Sequence, residues 1–572
     1  MRTIAFLSFV YFLTAFVIGQ TVVHDRDFWY GEAREALLRR LPEGRRPHAR
    51  NVVLMVGDGM GVATLTAARL FRGQRQGELG EDTELTWDRF PAVALAKTYN
   101  MDAQIGESSA CATALLCGVK ANFETVGLDA RGKFENCKSS ISARVDSLID
   151  WAHREGMMTG IVTNTRVSHA TPAALFAHSP SRYWEDDSKV PPAARKLCKD
   201  ITRQLVEDEP GRNINVILGG GRRHWLPKVT RDPEQTTDEG RRLDGRNLVE
   251  DWVRDKKKRG VKAEFVWNKQ QLDNTSSDVD FLLGLFSYSH MEFEADRDTG
   301  PSGDPSLTDM TNKALSVLER SPKGYFLFVE SGRIDHAHHY NNAYRALDET
   351  LTLETALADV LNRVDLEDTL IVVTTDHSHV LTLGGLATPR GNPILGTDTK
   401  PSDIDGQPYS TLLYGSGPGY SVPRNVPSNA SSASEERNSV HGAAVPRQWG
   451  THGGEDVPVF AAGPLARDLF SGIVDQSYIP HAIAFIACLG EHSKRCTSGP
   501  DNYTEPKKES CTSAHVSTVY NSRRRGGIVL ASSVMSEDNP SSRASPPWPS
   551  LTSTKLAVLV LSWWILRWLE LL

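Results

Sequence analysis

Five short apolar runs, each leading into a polar or glycine-rich turn, constrain this chain more than any other feature of its 572 residues. Asn51-Val-Val-Leu-Met-Val56 leads into Gly57-Asp58-Gly59, and Gly160-Ile-Val-Thr163 and Val216-Ile-Leu218 end in polar or glycine-rich turns. Tyr325-Phe-Leu-Phe-Val329 runs into Glu330, and Leu370-Ile-Val-Val-Thr374 into Asp376 and His377. Continuous apolar runs spaced by helical stretches predict strands buried on both faces, as in a parallel sheet covered by helices. The expected fold class is therefore α/β, with a central, mostly parallel sheet flanked by helices. Ligands of such sheets collect beyond the carboxyl ends of the strands, which is where the polar residues of this chain cluster.

Composition closes off other classes. Hydrophobic residues at 40% and charged residues at 24% fit a globular protein, which excludes disorder or a collagen-like repeat for most of the chain. The formal charge is −7, with no long basic run, so no nucleic-acid binding is expected. Residues 1–19 have a charged start, an apolar stretch and a small residue near its end, the pattern of a secretory signal. Near the other end, an apolar stretch over 557–566 is followed by Arg567 and Glu570, whereas a spanning helix needs about 20 apolar residues. Small Ser541 and Ser542, a polar spacer and a terminal apolar tail form the pattern for a glycosylphosphatidylinositol (GPI) anchor. The expected organisation is a catalytic domain over 20–497, a polar stalk over 498–542 and a propeptide over 543–572 that is removed on attachment. The protein is then expected on the extracellular face of the cell membrane. Within the catalytic domain, about 385–449 is Gly/Pro/Ser-rich and reads as a loop-rich insertion. Seven cysteines and sequons at Asn274, Asn429 and Asn502 agree with secretion. An amphipathic helix is predicted over 25–41, stopping before Pro42.

Three clusters carry the chemistry. Glu330, Asp335, His336, His338 and His339 fall within ten residues; Asp376, His377 and His379 follow another strand; His452, Glu455 and Asp456 sit in a loop ahead of the apolar 457–462. A lone histidine in such a place is usually structural. Three clusters at comparable strand ends instead point to a metal site of oxygen and nitrogen ligands, the set that zinc accepts. Asp335 and His339 are four residues apart and share one face of a helix. Asp58 lies between two glycines at a strand end, where a carboxylate bridges two cations without crowding. Ser108 stands at a predicted helix N-terminus in Glu107-Ser108-Ser109. A serine there is usually a cap, and a nucleophilic role needs a metal to lower its pKa.

Taken together, Val56-Gly-Asp-Gly-Met-Gly61, Lys97-Thr-Tyr-Asn100, Leu116-Cys-Gly-Val-Lys120, Thr165-Arg-Val-Ser-His-Ala-Thr-Pro172, the stretch 329–339, Thr375-Asp-His-Ser-His379 and 451–456 resemble animal-type, membrane-bound alkaline phosphatases. The resemblance runs from about 27 to 496. It implies hydrolysis of a broad range of phosphate monoesters to an alcohol and inorganic phosphate through a phosphoserine, using two zinc ions and one magnesium. Asp335, His339 and His452 match the first zinc site; Asp58, Asp376 and His377 match the second, with Ser108 as nucleophile. Asp58, Thr171 and Glu330 match the magnesium ligands. His169 matches a residue near magnesium, His336 one that reaches phosphate through water, and Arg182 the arginine that grips phosphate. His338 and His379 are not assigned as ligands. The resemblance further implies disulfides Cys137–Cys198 and Cys488–Cys496, an unpaired Cys117, a crown subdomain near 385–449, and a homodimer embraced by the 25–41 helix.

Two positions depart from the family. Glu107 stands where an Asp is usual and adds a methylene to the group that orients Arg182. Altered rate or phosphate affinity is expected there, since misplacing a catalytic group by 1 Å costs about 10²-fold. Calcium ligands are matched at Glu234, Phe286 and Asp304, but Ser287 replaces an expected Glu, which weakens any calcium site. Two alternatives stand beside the phosphomonoesterase. One is a related zinc phosphodiesterase or sulfatase, disfavoured by Ser108, Arg182 and the third metal site. The other is a GPI-anchored docking or adhesion protein with weak activity, disfavoured by metal-ligand positions that all carry competent residues.

Overall fold

The computed structural model describes residues 24–42, 47–386, 388–424 and 437–496, all within one compact unit. The signal segment, the stalk, the propeptide with Ser541 and Ser542, Asn429, Asn502 and Cys511 lie outside the described residues. The strands in chain order are β1 (Asn51–Gly57), β2 (Ala92–Lys97), β3 (Met158–Arg166), β4 (Val216–Gly220), β5 (Ala263–Val266), β6 (Phe281–Leu285), β7 (Tyr325–Ser331) and β8 (Thr369–Thr374). They continue with β9 (Ser378–His379), β10 (Leu381–Leu383), β11 (Leu412–Gly417), β12 (Ala443–Pro446), β13 (His452–Gly453), β14 (Val457–Ala462) and β15 (Gly472–Asp475).

Ten of these form one sheet in the order β15-β2-β14-β8-β1-β7-β3-β4-β6-β5. Every pairing in it is parallel except those of β14 with β2 and β8. This is the mostly parallel α/β fold expected from the apolar runs. The centre, β1, is Asn-Val-Val-Leu-Met-Val-Gly and buried after its first residue. Its side chains alternate between two cores. Val52, Leu54 and Val56 join one face with the helix Tyr478–Ala487. Val53 and Met55 join the other with the helix Ala343–Arg363. Burying each such aliphatic side chain contributes roughly 1.5–3 kcal/mol, so a polar residue could not sit within β1 cheaply. Polar residues appear where the strand leaves the core.

Register fixes that exit. Val56 pairs with Glu330 of β7 and with Thr374 of β8, and Glu330 also pairs with Thr163 of β3. Asp58, Glu330, Thr163 and Asp376 therefore emerge side by side from four adjacent strands. In the region read as an insertion, β11 pairs with β10 on one side and β12 on the other, forming a separate three-stranded sheet. The amphipathic pattern near the N-terminus forms the helix Arg26–Leu38, whose N-cap Asp25 accepts from the Phe28 amide and whose Trp29, Tyr30, Ala33 and Leu37 are buried. Cys137–Cys198 and Cys488–Cys496 are disulfide-bonded, and Cys111 and Cys117 are buried thiols.

Candidate active site

The helix Ser108–Cys117 begins at the carboxyl edge of the sheet, and its N-cap is Glu107. The Glu107 carboxylate accepts from the amides of Ser109 (3.0 Å) and Ala110 (2.8 Å), from the Ser109 hydroxyl (2.6 Å) and from the Glu124 amide (2.9 Å). It also takes a 2.8 Å hydrogen bond from Arg182 Nη1. Burial pushes this carboxyl up, but Arg182 and the Ser109 donors more than offset that and hold it below the usual glutamate range. The longer side chain thus caps the helix and holds the arginine at once. Beside it, Ser108 Oγ lies 3.2 Å from His377 Nε2.

Acidic and imidazole groups crowd around that serine. His377 Nε2 is 3.4 Å from Asp58 Oδ1 and 3.3 Å from Asp376 Oδ2. Asp335 gathers three histidines: His339 at 3.2 Å, His379 at 2.5 Å and His452 at 3.4 Å. On the far side of Asp58, Glu330 Oε2 accepts from Thr163 (2.5 Å) and Thr165 (3.2 Å). Around Asp335 and Asp58, three groups bring ligand atoms within 4.8 Å of one another: Asp335, His377, His379 and His452; Asp58, Asp376 and His377; and Asp58, His169 and Glu330.

Two observations show that cations fit here. First, both Asp58 oxygens, Asp376 Oδ2, Glu330 Oε1 and Thr171 Oγ1 are buried with no hydrogen-bond partner among the described residues, and such groups are costly unless something compensates them. Burial and neighbouring carboxylates push Asp376 up to about 8, burial pushes Glu330 up to about 7, and burial with Asp376 and Asp335 raises Asp58. Second, the histidine tautomers are set by backbone carbonyls. His339 Nδ1–H donates to Gly450 O (2.7 Å), His452 Nδ1–H to Gly106 O (2.9 Å) and His377 Nδ1–H to Ser378 O (3.2 Å). All three leave the Nε2 lone pair facing the carboxylates, the arrangement metal-ligating histidines use.

With that geometry in place, comparison with known proteins is decisive. Residues 49–489 match the family described as Alkaline phosphatase. The chain belongs to the alkaline phosphatase family. It is 47% identical over 482 residues to the tissue-nonspecific isozyme of alkaline phosphatase from Gallus gallus, covering 83% of this chain and 92% of the relative. It is 42% identical over 489 residues to the membrane-bound alkaline phosphatase of Bombyx mori, covering 83% and 87%. The crystal structure of Thermus thermophilus alkaline phosphatase shares the fold, with a TM-score of 0.54 at 24% identity, covering 80% of this chain and 94% of that one. The protein is thus an alkaline phosphatase, a hydrolase of phosphate monoesters that binds divalent metal ions.

Every expected zinc, magnesium and phosphate residue that is described lies in this one region. Arg182 Nη2 reaches His169 Nε2 at 3.2 Å, and the rings of His169 and His336 are 5.4 Å apart. The expected calcium residues lie elsewhere. Glu234 Oε2 is bound by Arg222 Nη2 at 2.5 Å, leaving Asp304 as the one expected carboxylate ligand not engaged by a guanidinium. That donor set is poor for an ion that takes six to eight oxygens. Two further histidines stand near the centre. His379, which the resemblance does not assign as a ligand, alternates with His377 after β8. His290, in a turn after β6, joins His169 and His336 within 4.8 Å, and no local signal marks it.

Proposed function

We propose that Ser108 is the nucleophile of the phosphatase, and that Asp335, His339 and His452 hold one zinc while Asp58, Asp376 and His377 hold a second. Asp58, Thr171 and Glu330 would hold magnesium. The observation that carries this reading is Asp58: fully buried, both oxygens unpartnered, and flanked by Asp376 and His377 on one side and Glu330 on the other. Bound there, the cations would supply charge neutralisation for the oxygens that enter and leave in an in-line displacement and would lower the pKa of the serine hydroxyl.

The protein's own residues do the rest. Glu107 anchors Arg182 at 2.8 Å, so the guanidinium meets the phosphoryl oxygens already oriented, with its fork presenting two parallel donors. The same carboxylate caps the helix that carries Ser108, which ties nucleophile and arginine to one fixed point. Ser108 Oγ attacks phosphorus and the alcohol departs on the opposite side; attack of water on the phosphoserine then releases inorganic phosphate. Recognition confined to the phosphoryl group gives broad alcohol specificity.

On the cell surface, a lipid anchor fits the terminal tail pattern, and no helix among the described residues is long and apolar enough to cross a membrane. A homodimer follows the family resemblance. Hydrolysis of p-nitrophenyl phosphate by the secreted protein, with metal content measured by mass spectrometry, tests the site. Activity lost in Ser108→Ala with metal content unchanged supports the assignment. Activity retained in that variant removes Ser108 from the role.

A further inference from the structure

Next to Arg182, outside the residues proposed to hold metal, His290 and His336 pack ring to ring at 4.3 Å and His290 lies 5.0 Å from His169. Three imidazoles this close look like another metal site, but their lone pairs are spent. Arg166 Nη1 donates to His290 Nε2, Arg333 Nη1 to His336 Nδ1 at 3.0 Å, and Arg182 Nη2 to His169 Nε2 at 3.2 Å. A neutral imidazole that accepts at one nitrogen carries its hydrogen on the other. His336 and His169 therefore carry their hydrogens away from the arginines, whereas both nitrogens of His290 face donors of Arg166, its Nδ1 lying 3.4 Å from the Arg166 amide. At His336 this inverts the polarity of His339, His377 and His452, whose hydrogens are taken by carbonyls.

Carboxylates offset the guanidinium charge only in part: Glu185 acts on Arg223, and Glu349 and Glu292 on Arg333, without forming ion pairs. Arg166 pairs with Glu185 at 2.8 Å and Arg182 with Glu107. Arg223 and Arg333 form no ion pair with a carboxylate among the described residues, and Arg333 Nε is buried without a hydrogen-bond partner. Arg223 is tied into the same wall, its amide bonding Tyr288 O two residues before His290. Burial, followed by the charges of Arg166 and Arg241, brings Arg223 down to about 10. Arg166, Arg223, Arg333, His290 and His336 are all half-buried, so solvent reaches this wall.

From this we infer that the wall formed by Arg166, Arg223, Arg333 and His290 is a second anion subsite, which takes an additional phosphate carried on the alcohol portion of a bisphosphorylated substrate. The inference rests on the proposed phosphoryl site at Ser108 and Arg182, and it makes this enzyme discriminate among alcohols that the phosphoryl site itself treats alike. Water-exposed charge pairs contribute little, whereas half-buried Arg223 and Arg333, which have no ion pair with a carboxylate among the described residues, gain from a dianion.

Propane-1,3-diyl bisphosphate and propyl phosphate form a matched pair of probes for the full-length secreted enzyme. After correction for two equivalent esters, wild type is expected to show about tenfold higher kcat/KM for the bisphosphate, carried by KM. The preference should shrink at 0.5 M salt, where screening acts over about 4 Å. Arg223→Met and His290→Gln should each bring the two substrates to within about twofold while propyl phosphate turnover holds, and Arg223→Lys should keep most of the preference. Equal kcat/KM in wild type, or a preference untouched by both substitutions, overturns the subsite and leaves the phosphoryl site standing. Propyl phosphate hydrolysis that persists in Ser108→Ala takes down both readings together.

Discussion

His379 Nε2 lies 2.5 Å from Asp335 Oδ1, deep in the site and away from solvent. The same carboxylate faces His339 through Oδ2 and His452 through Oδ1, so the His379 contact at Oδ1 fixes the rotation that points one oxygen at each of them. Such outer partners of ligating carboxylates commonly change metal affinity by 10–100-fold. His379→Ala is expected to weaken zinc retention about 10–100-fold. Zinc left after dialysis against a graded chelator series reads this directly. Zinc retention equal to wild type would remove His379 from the positioning role.

Gly59 has φ +74° and stands between Asp58 and the loop bearing Asp376. A Cβ added there would meet His379 Cδ2 at 2.8 Å and the Asp335 backbone at 3.1 Å. Gly59→Ala therefore combines left-handed backbone strain of about 1 kcal/mol with displacement of two groups at the centre of the site. The expected result is loss of both zinc and activity, with far-ultraviolet circular dichroism unchanged. Gly406, at φ +68° with open space around it, is the control: alanine there should leave zinc content and turnover intact.

Glu107 joins a helix cap to the phosphate-binding arginine. Glu107→Gln keeps the length but removes the charge opposing Arg182; kcat/KM should fall about tenfold to a hundredfold, since a freed guanidinium loses its orientation. Glu107→Ala should also cost about 1 kcal/mol of stability through the lost cap. A glutamine variant with wild-type kcat/KM and phosphate inhibition would show that the Glu107–Arg182 pair does not position the arginine.

Lys256 lies under the rings of Trp252 and Phe281, with Arg259, Arg212 and Asp255 nearby. Burial, then Arg259, brings its ammonium down from 10.5 to about 8. Between these values the unfolded chain holds a proton that the folded chain has released. Stability contributed by this group therefore rises with pH from about 8 to 10.5. Lys256→Met removes that slope. The melting temperature of the variant relative to wild type should be more favourable at pH 7.5 than at pH 10; a difference independent of pH contradicts the assignment.

Much of the fold can be read locally. The runs that become β1, β3, β4, β7 and β8 are continuous and apolar because both sheet faces are covered, and their shortness and flanking turns separate them from buried helices. β2 carries three alanines, and its burial alternates, so neither composition nor continuity distinguishes it from a helical segment. β5 is four residues long and only half-buried at its start. Such edge strands are defined by the neighbour they pair with, which local pattern does not contain.

Asp58, Glu330 and Asp376 were legible as site residues because a carboxylate directly after a buried strand has to face the sheet's carboxyl edge. That conclusion needs only strand direction. The sequence by itself therefore determined the sheet's apolar central strands, its chemical edge and the residue types gathered there. Which lone pairs face the centre was decided in three dimensions. His339 is oriented by a carbonyl 111 residues away and His452 by one 346 residues away, while Arg333 turns the neighbouring His336 to the opposite polarity. An imidazole's tautomer depends on what lies at its second nitrogen, and only chain folding brings that partner within hydrogen-bond distance.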